Sequence, residues 1–194
     1  MKKFLLALLA VMTLTVSVAA ASPVRIARLP IIFHDATPDR DTCAVLEMKI
    51  ARAVAVPMNK TLKVAEFIPT KISTEALSDI WHRLRANNGR PNPSEAIRLL
   101  AREIDADIVV CPVLLQYSQQ ITNAVNSHDT IMNSNVRAAM IVYDRRTDNL
   151  IDKKAAQVYH DSYHPLGTAS ALAKICFDNV IEETNLRSLI RAIR

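Results

Sequence analysis

Apolar positions along this chain fall into two rhythms, one of period near 3.6 and one of period two or less. Val24 to Phe33 is β-branched and apolar and predicts a first strand. Thr37-Pro38 then offers a capping hydroxyl and a proline for the first helical turn. Leu46, Met48, Ile50 and Val54 predict a helix from about Asp39 to Val54, ended by Pro57. Leu62 to Ile68 predicts a second strand, closed by Pro69. Leu77, Ile80, Trp81 and Leu84 recur at helical spacing behind a Ser73 cap, up to the breaker Asn87-Asn88-Gly89-Arg90-Pro91. Asn92-Pro93-Ser94-Glu95 restarts a helix: Asn caps it, Pro occupies the first turn and Glu95 reaches back to the cap. Its inner face carries Ile97, Leu100, Ala101 and Ile104.

The second half reads as strands. Ile108 to Leu115 is apolar without alternation, which predicts a strand covered on both faces. Gln116 to Val125 alternates Tyr117, Ile121 and Val125 with polar residues, as a strand with one wet face does. Asn126 to Asn135 is polar and predicts a loop around the apolar pair Ile131-Met132. Val136 to Tyr143 returns as a strand, Asp144 to Asn149 turns, and Leu150 to Tyr163 is a more polar partner. Thr168 to Ile193 closes the chain as helix. The order βαβααβββα implies one α/β domain with a mixed sheet of about five strands and helices packed on it.

The amino terminus changes the picture. Lys2-Lys3, the apolar run Phe4 to Val18 and Ala19-Ala20-Ala21 before Ser22-Pro23 form a tripartite secretory signal. The expectation is residues 1–21 as signal peptide and 22–194 as the mature domain. The apolar run is shorter than the roughly 20 residues that span a bilayer, and Thr13, Thr15 and Ser17 interrupt it. With no later stop-transfer segment, the mature chain is expected to be soluble, without a transmembrane segment, in the periplasm or outside the cell.

Formal charge is +5, from 24 Lys and Arg against 19 Asp and Glu. Removing the leader takes two lysines and leaves 22 against 19, or +3. So small an excess, with only 5% aromatic residues, argues against a nucleic-acid partner. The only glycines are Gly89 and Gly167, which excludes a phosphate-binding loop and a dinucleotide fingerprint. No G-x-S-x-G elbow exists. No cofactor, no metal and no catalytic residue are expected.

Candidate chemistry is sparse. Cys43, Cys111 and Cys176 are an odd set in a compartment that permits disulfides. Cys111 reads as a small core residue; a bridge between Cys43 and Cys176 stays open. His160 and His164 lie at an even strand offset, about 13 Å apart, too far for one metal unless the chain turns. His34-Asp35 ends the first strand, where open α/β sheets place ligands, and is a pocket candidate with His160 and His164. Arg137, Arg145, Arg146, Lys153 and Lys154 gather around the hairpin and read as a solvated face that discourages strand pairing, or as a partner surface. The partner surface is placed on Ile131, Met132, Arg137, Arg145 and Arg146, because a polar loop on a rigid sheet suits binding.

Three segments carry a family resemblance. Arg25-Ile26-Ala27-Arg28-Leu29-Pro30 resembles a first strand ending in a Leu-Pro step. Ala101 to Val110 (AREIDADIVV) resembles a helix end followed by Ala-Asp and a β-branched strand. Ile141 to Ile151 (IVYDRRTDNLI) resembles a hairpin of apolar strand, Asp, Thr-containing turn and apolar return. Together they resemble the exported domain shared by the curli-secretion lipoprotein, the lipoprotein activators of penicillin-binding proteins and the amino-terminal domain of the Tol-Pal propeller protein. Asp105 stands where that group has Gly, and no lipid-anchoring Cys is present. The resemblance implies the fold and an envelope setting, and supplies no catalytic residue.

The reading is a non-enzymatic, exported envelope protein that acts through contacts with an envelope protein partner. Two rivals stay open: a small-ligand or metal-dependent periplasmic enzyme, and an oligomeric secretion or assembly subunit.

Overall fold

Buried, non-alternating residues make the central strands, and helices on both faces bury them. A computed structural model describes residues 22–88, 92–123 and 130–192; the expected leader, the breaker at Gly89, the end of the expected strand at 124–125 and positions 126–129 of the expected loop lie outside them. The strands are β1 (Val24–Arg28), β2 (Ile32–Phe33), β3 (Ala65–Ile68), β4 (Ile108–Asn123), β5 (Thr130–Asp144) and β6 (Asn149–Ser162). The sheet runs β3-β1-β4-β5-β6, with β2 beside β4. β1 is parallel to β3 and β4, and β2 to β4. The β4–β5 and β5–β6 pairs are antiparallel. The mixed α/β sheet expected from the element order is therefore present, with six strands.

Helices α1 (Arg40–Ala53), α5 (Ala169–Glu183) and α6 (Leu186–Arg191) cover one face. There Leu46, Ile50 and Phe177 pack with Ile26, Val110 and Met140. Helices α3 (Thr70–Asn88) and α4 (Pro93–Glu103) cover the other face. There Ile80, Ile97 and Leu100 pack with Ala27, Val109 and Tyr143. Strand alternation divides the neighbours Ile26 and Ala27 between the two layers. Full burial of a side chain such as Leu100 contributes about 1.5–3 kcal/mol. A short helix, α2 (Asn59–Leu62), connects α1 to β3.

Local chemistry explains where elements begin and end. The first expected strand is broken at Leu29-Pro30, because Pro has no N–H for the ladder. Leu29 N still donates to Val110 O at 2.9 Å, and Ile31 N turns to the Glu47 carboxylate at 2.9 Å. The cap of α1 is Asp39, not Thr37: its carboxylate accepts from Thr42 N at 2.8 Å and Thr42 Oγ1 at 2.7 Å. The second strand starts at Ala65 rather than Leu62, which ends the helical turn Asn59–Leu62, and the Asn59 amide clasps Ala65 through both N–H and C=O at 2.8 Å. α3 starts at Thr70, so Ser73 lies buried within it and does not cap it. Asn92 does cap α4, accepting from Ser94 N at 3.0 Å.

Residues 130–135 belong to β5, not to a loop. β4 is one strand from Ile108 to Asn123, irregular between Leu114 and Gln116. The terminal helix breaks at Asn185, whose φ is 51°, dividing α5 from α6. The three cysteines are free. Cys111 is 3% exposed, and burial pushes its thiol up to about 12. Burial pushes the Cys176 thiol up to about 11.

Asp105 has φ 51°, in the left-handed region that glycine enters most easily and Asp tolerates. Its carboxylate accepts from Arg145 Nη2 at 2.7 Å and Arg25 Nη1 at 2.8 Å. Asp107 adds to the clip by accepting from Arg25 N at 2.9 Å, joining β1 to the start of β4. One ionic cluster thus joins β1, the α4–β4 turn and the β5–β6 hairpin.

Candidate functional site

The residues expected to form a partner surface lie at two distant places. Ile131 and Met132 pair with Ser162 and Asp161 at one end of the meander, whereas Asp144 pairs with Asn149 at the other. Fourteen residues of strand, about 45–50 Å, separate Ile131 from Arg145. A single loop-plus-hairpin surface is therefore ruled out by register. Met132 is also no exposed anchor: it is 0% exposed, on the same strand face as Val136 and Met140. Ile131 is half-buried.

The hairpin arginines are committed to neighbours. Arg146 donates from Nε at 3.0 Å and Nη2 at 2.8 Å to the buried Asp144 carboxylate. Burial works to raise the Asp144 pKa, but the Arg146 hydrogen bonds outweigh it and hold the carboxyl below its ordinary value. Arg145 holds Asp105 below its ordinary value, through its hydrogen bond first and that of Arg25 second. These side chains act as fold clips. Arg137 differs, being exposed in the outer part of β5.

That outer part is a ribbon of three strands: β4 from Gln116, β5 up to Arg137 and β6 from Ala156. One face carries the exposed Gln120, Asn133, Arg137, Val158 and His160, all from positions that pair across the strands or lie two residues apart. Val158 is 65% exposed. β6 is the sheet edge over 14 residues, so one side of its backbone has no strand neighbour among the described residues. The opposite face is closed by the turn Pro165–Gly167 and the start of α5. Ala169 N donates to the Gln119 side chain at 2.8 Å, and Gly167 sits against the Tyr159 ring.

His160 and His164 are not brought together as ligands. His160 lies in β6, and His164 Nδ1 accepts from Leu166 N at 3.2 Å, capping the turn. Among the described residues no group of three His, Cys, Asp or Glu could hold a metal ion. No described helix is long and apolar enough to cross a membrane.

His34 lies elsewhere, at the mouth of a cleft of about 370 Å³ between the α3–α4 layer and the sheet. Its floor is Cys111, Val113 and Leu115 of β4 with Ala139 and Ile141 of β5. Leu77, Trp81 and Ile97 wall it from the helices, and Asp152 and Lys154 of β6 reach its rim. His34 Nδ1 is 2.5 Å from Asp35 Oδ1, and Lys154 Nζ is 3.6 Å from Asp152 Oδ2. The sequence pointed to His34 through its place at a strand's carboxyl end. It carried no signal for Asp152 or Trp81, because cross-strand register and the packing angle of α3 bring them there.

No family model matches this sequence, and no curated protein matches it. Solved structures are distantly similar to it. Hypothetical protein CT253 of Chlamydia trachomatis is 12% identical, with 88% of this chain and 99% of that chain covered and a TM-score of 0.47. Lipoprotein GNA1162 of Neisseria meningitidis is 14% identical, with 84% and 99% covered and a TM-score of 0.38. The PelC dodecamer of Paraburkholderia phytofirmans is 14% identical, with 86% and 89% covered and a TM-score of 0.41.

Proposed function

We propose that this protein is exported to the cell envelope and acts there through contact with a protein partner rather than by catalysis. The observation that carries this reading is the outer ribbon of the meander. Three strands continue past α3 and α4, which cover one side of their inner halves, exposing a polar face there and, among the described residues, a long free edge. An unpaired edge offers main-chain donors and acceptors to an incoming strand, and alternate side chains beside it give selectivity. Val158, Asn133 and Arg137 supply apolar, amide and cationic contacts on one exposed face. Export is supported by Lys2-Lys3, the apolar run to Val18 and Ala19-Ala20-Ala21.

Photo-cross-linking in the native host tests the contact. A photoreactive residue in place of Val158 or Asn133 is expected to yield one discrete adduct with another envelope protein. The same residue in place of the exposed Arg85 on α3 should yield none. An adduct between two copies of this chain would favour the assembly-subunit reading, and labelling equal at all three positions would overturn the proposed surface. Intact mass of the host-derived protein is expected to lack residues 1–21; a mature species that retains them would overturn the export reading.

A further inference from the structure

The cleft beside His34 has a composition that the contact function does not use. Its volume of about 370 Å³ falls within the roughly 300–1,000 Å³ typical of small-ligand sites. Sheet and two helices wall it, so it is concave rather than a bare face. Ile32, Trp81, Val113 and Leu115 line it and are only half-buried, leaving apolar surface wet inside an otherwise closed layer. Removing such surface from water is favourable by about 25 cal/mol per Å². The polar groups at the rim face one another: Lys154 is paired with Asp152, and the His34 ring nitrogen with the Asp35 carboxylate. A charged ligand entering there would lose hydration without meeting an uncommitted counter-charge. Asn92 and Ser94, at the start of α4, place amide and hydroxyl groups on the same rim.

We propose that this cleft binds one small neutral amphiphile, an aliphatic chain with an uncharged hydroxyl-bearing head. The chain lies over Val113 and Leu115 against Trp81, and the head meets the polar rim at Asn92 and Ser94. The inference rests on a different observation from the partner contact, the cleft under α3 and α4, which adjoins the proposed contact face where Ala139 is followed on the same strand face by Arg137.

Trp81 is the single tryptophan of the chain, so its emission reports this cleft alone. The test titrates the host-derived protein with monodecanoyl glycerol below its micelle concentration, with decanoate as the charged match of equal chain length. The expected result is a saturable blue shift of Trp81 emission and a raised melting midpoint with the neutral probe. Decanoate should bind about tenfold more weakly or less, because its carboxylate lacks a partner. Leu115→Lys should abolish the response, and Ile121→Lys, on the outer ribbon, should keep it. No saturable shift with the neutral probe, or equal binding of decanoate by the wild type, overturns the proposal. So does a folded Leu115→Lys variant that still binds. If Leu115→Lys does not fold, the two wild-type titrations decide the matter by themselves.

Discussion

The inner and outer halves of β4, β5 and β6 are the same three strands in two environments. From Ile108 to Leu114 the residues of β4 are apolar on both faces, because α1 and α5 lie on one side and α3 and α4 on the other. From Ser118 onward β4 is exposed, and β5 from Ile131 to Arg137 alternates between buried and more exposed positions. Helix cover, rather than strand pairing, sets the pattern of side chains. Pairing continues across the boundary, so the ribbon remains a rigid extension of the core. The inner half is covered on both faces, whereas the outer half is covered only on the face toward the turn Pro165–Gly167 and α5.

Substituting buried residues in both halves gives the largest expected effect. Met140→Ala, in the inner half, should lower unfolding free energy by about 2–5 kcal/mol in urea denaturation. Met132→Ala, in the outer half, should fall in the same range, since Met132 is also fully buried. A loss under about 1 kcal/mol at Met132 would show that the outer end opens separately from the core. Gly167→Ala should cost about 1–3 kcal/mol, because the new Cβ would sit 2.5 Å from the Tyr159 ring. Adding Tyr159→Ala should recover part of that loss, and failure to do so would place the strain elsewhere.

Acid should weaken the hairpin end of the inner half. Asp144 and Asp105 are held below the ordinary 3.8 by arginine, so the folded chain binds fewer protons than the unfolded one in that range. Their contribution is complete above the ordinary value and is lost as pH falls below about 4. Asp144→Asn should flatten that part of the stability–pH curve, and an unchanged slope would remove Asp144 from the account. The smallest effect belongs to the outer face: Val158→Ser should change stability by no more than about 0.5 kcal/mol. A larger loss would mean that the face is packed rather than presented.

The sequence revealed periodicity and punctuation well. The doubly covered run at Ile108, the Asn92-Pro93 restart and the Asp144 to Asn149 turn all read correctly, because each is a local pattern. Residues 130–135 did not. Their polar composition, Asn133-Ser134-Asn135 around few apolar residues, is that of a loop, and only the ladders to β4 and β6 make them strand. Ile131 and Arg145 are close to Met132 and Arg146 in sequence, yet the strand between them sets the two pairs at opposite ends of the sheet. The cleft was legible only at His34. Its other walls come from α3, β4, β5 and β6, whose convergence depends on register and helix packing.

The hydrogen bond from Arg25 N to the Asp107 carboxylate spans 82 positions of sequence. β4, β5 and β6 are neighbours in the chain and can zip as each leaves the ribosome or a translocation pore. β1 emerges first, but its partner β4 follows only after α1, β3, α3 and α4. At synthesis rates of about 5–20 residues per second, the intervening chain takes roughly 4–16 s to appear. Throughout that interval the strand Val24–Arg28 has no β4 edge to join. Its interior place in the finished sheet, between β3 and β4, therefore makes its pairing with β4 one of the last contacts that synthesis allows.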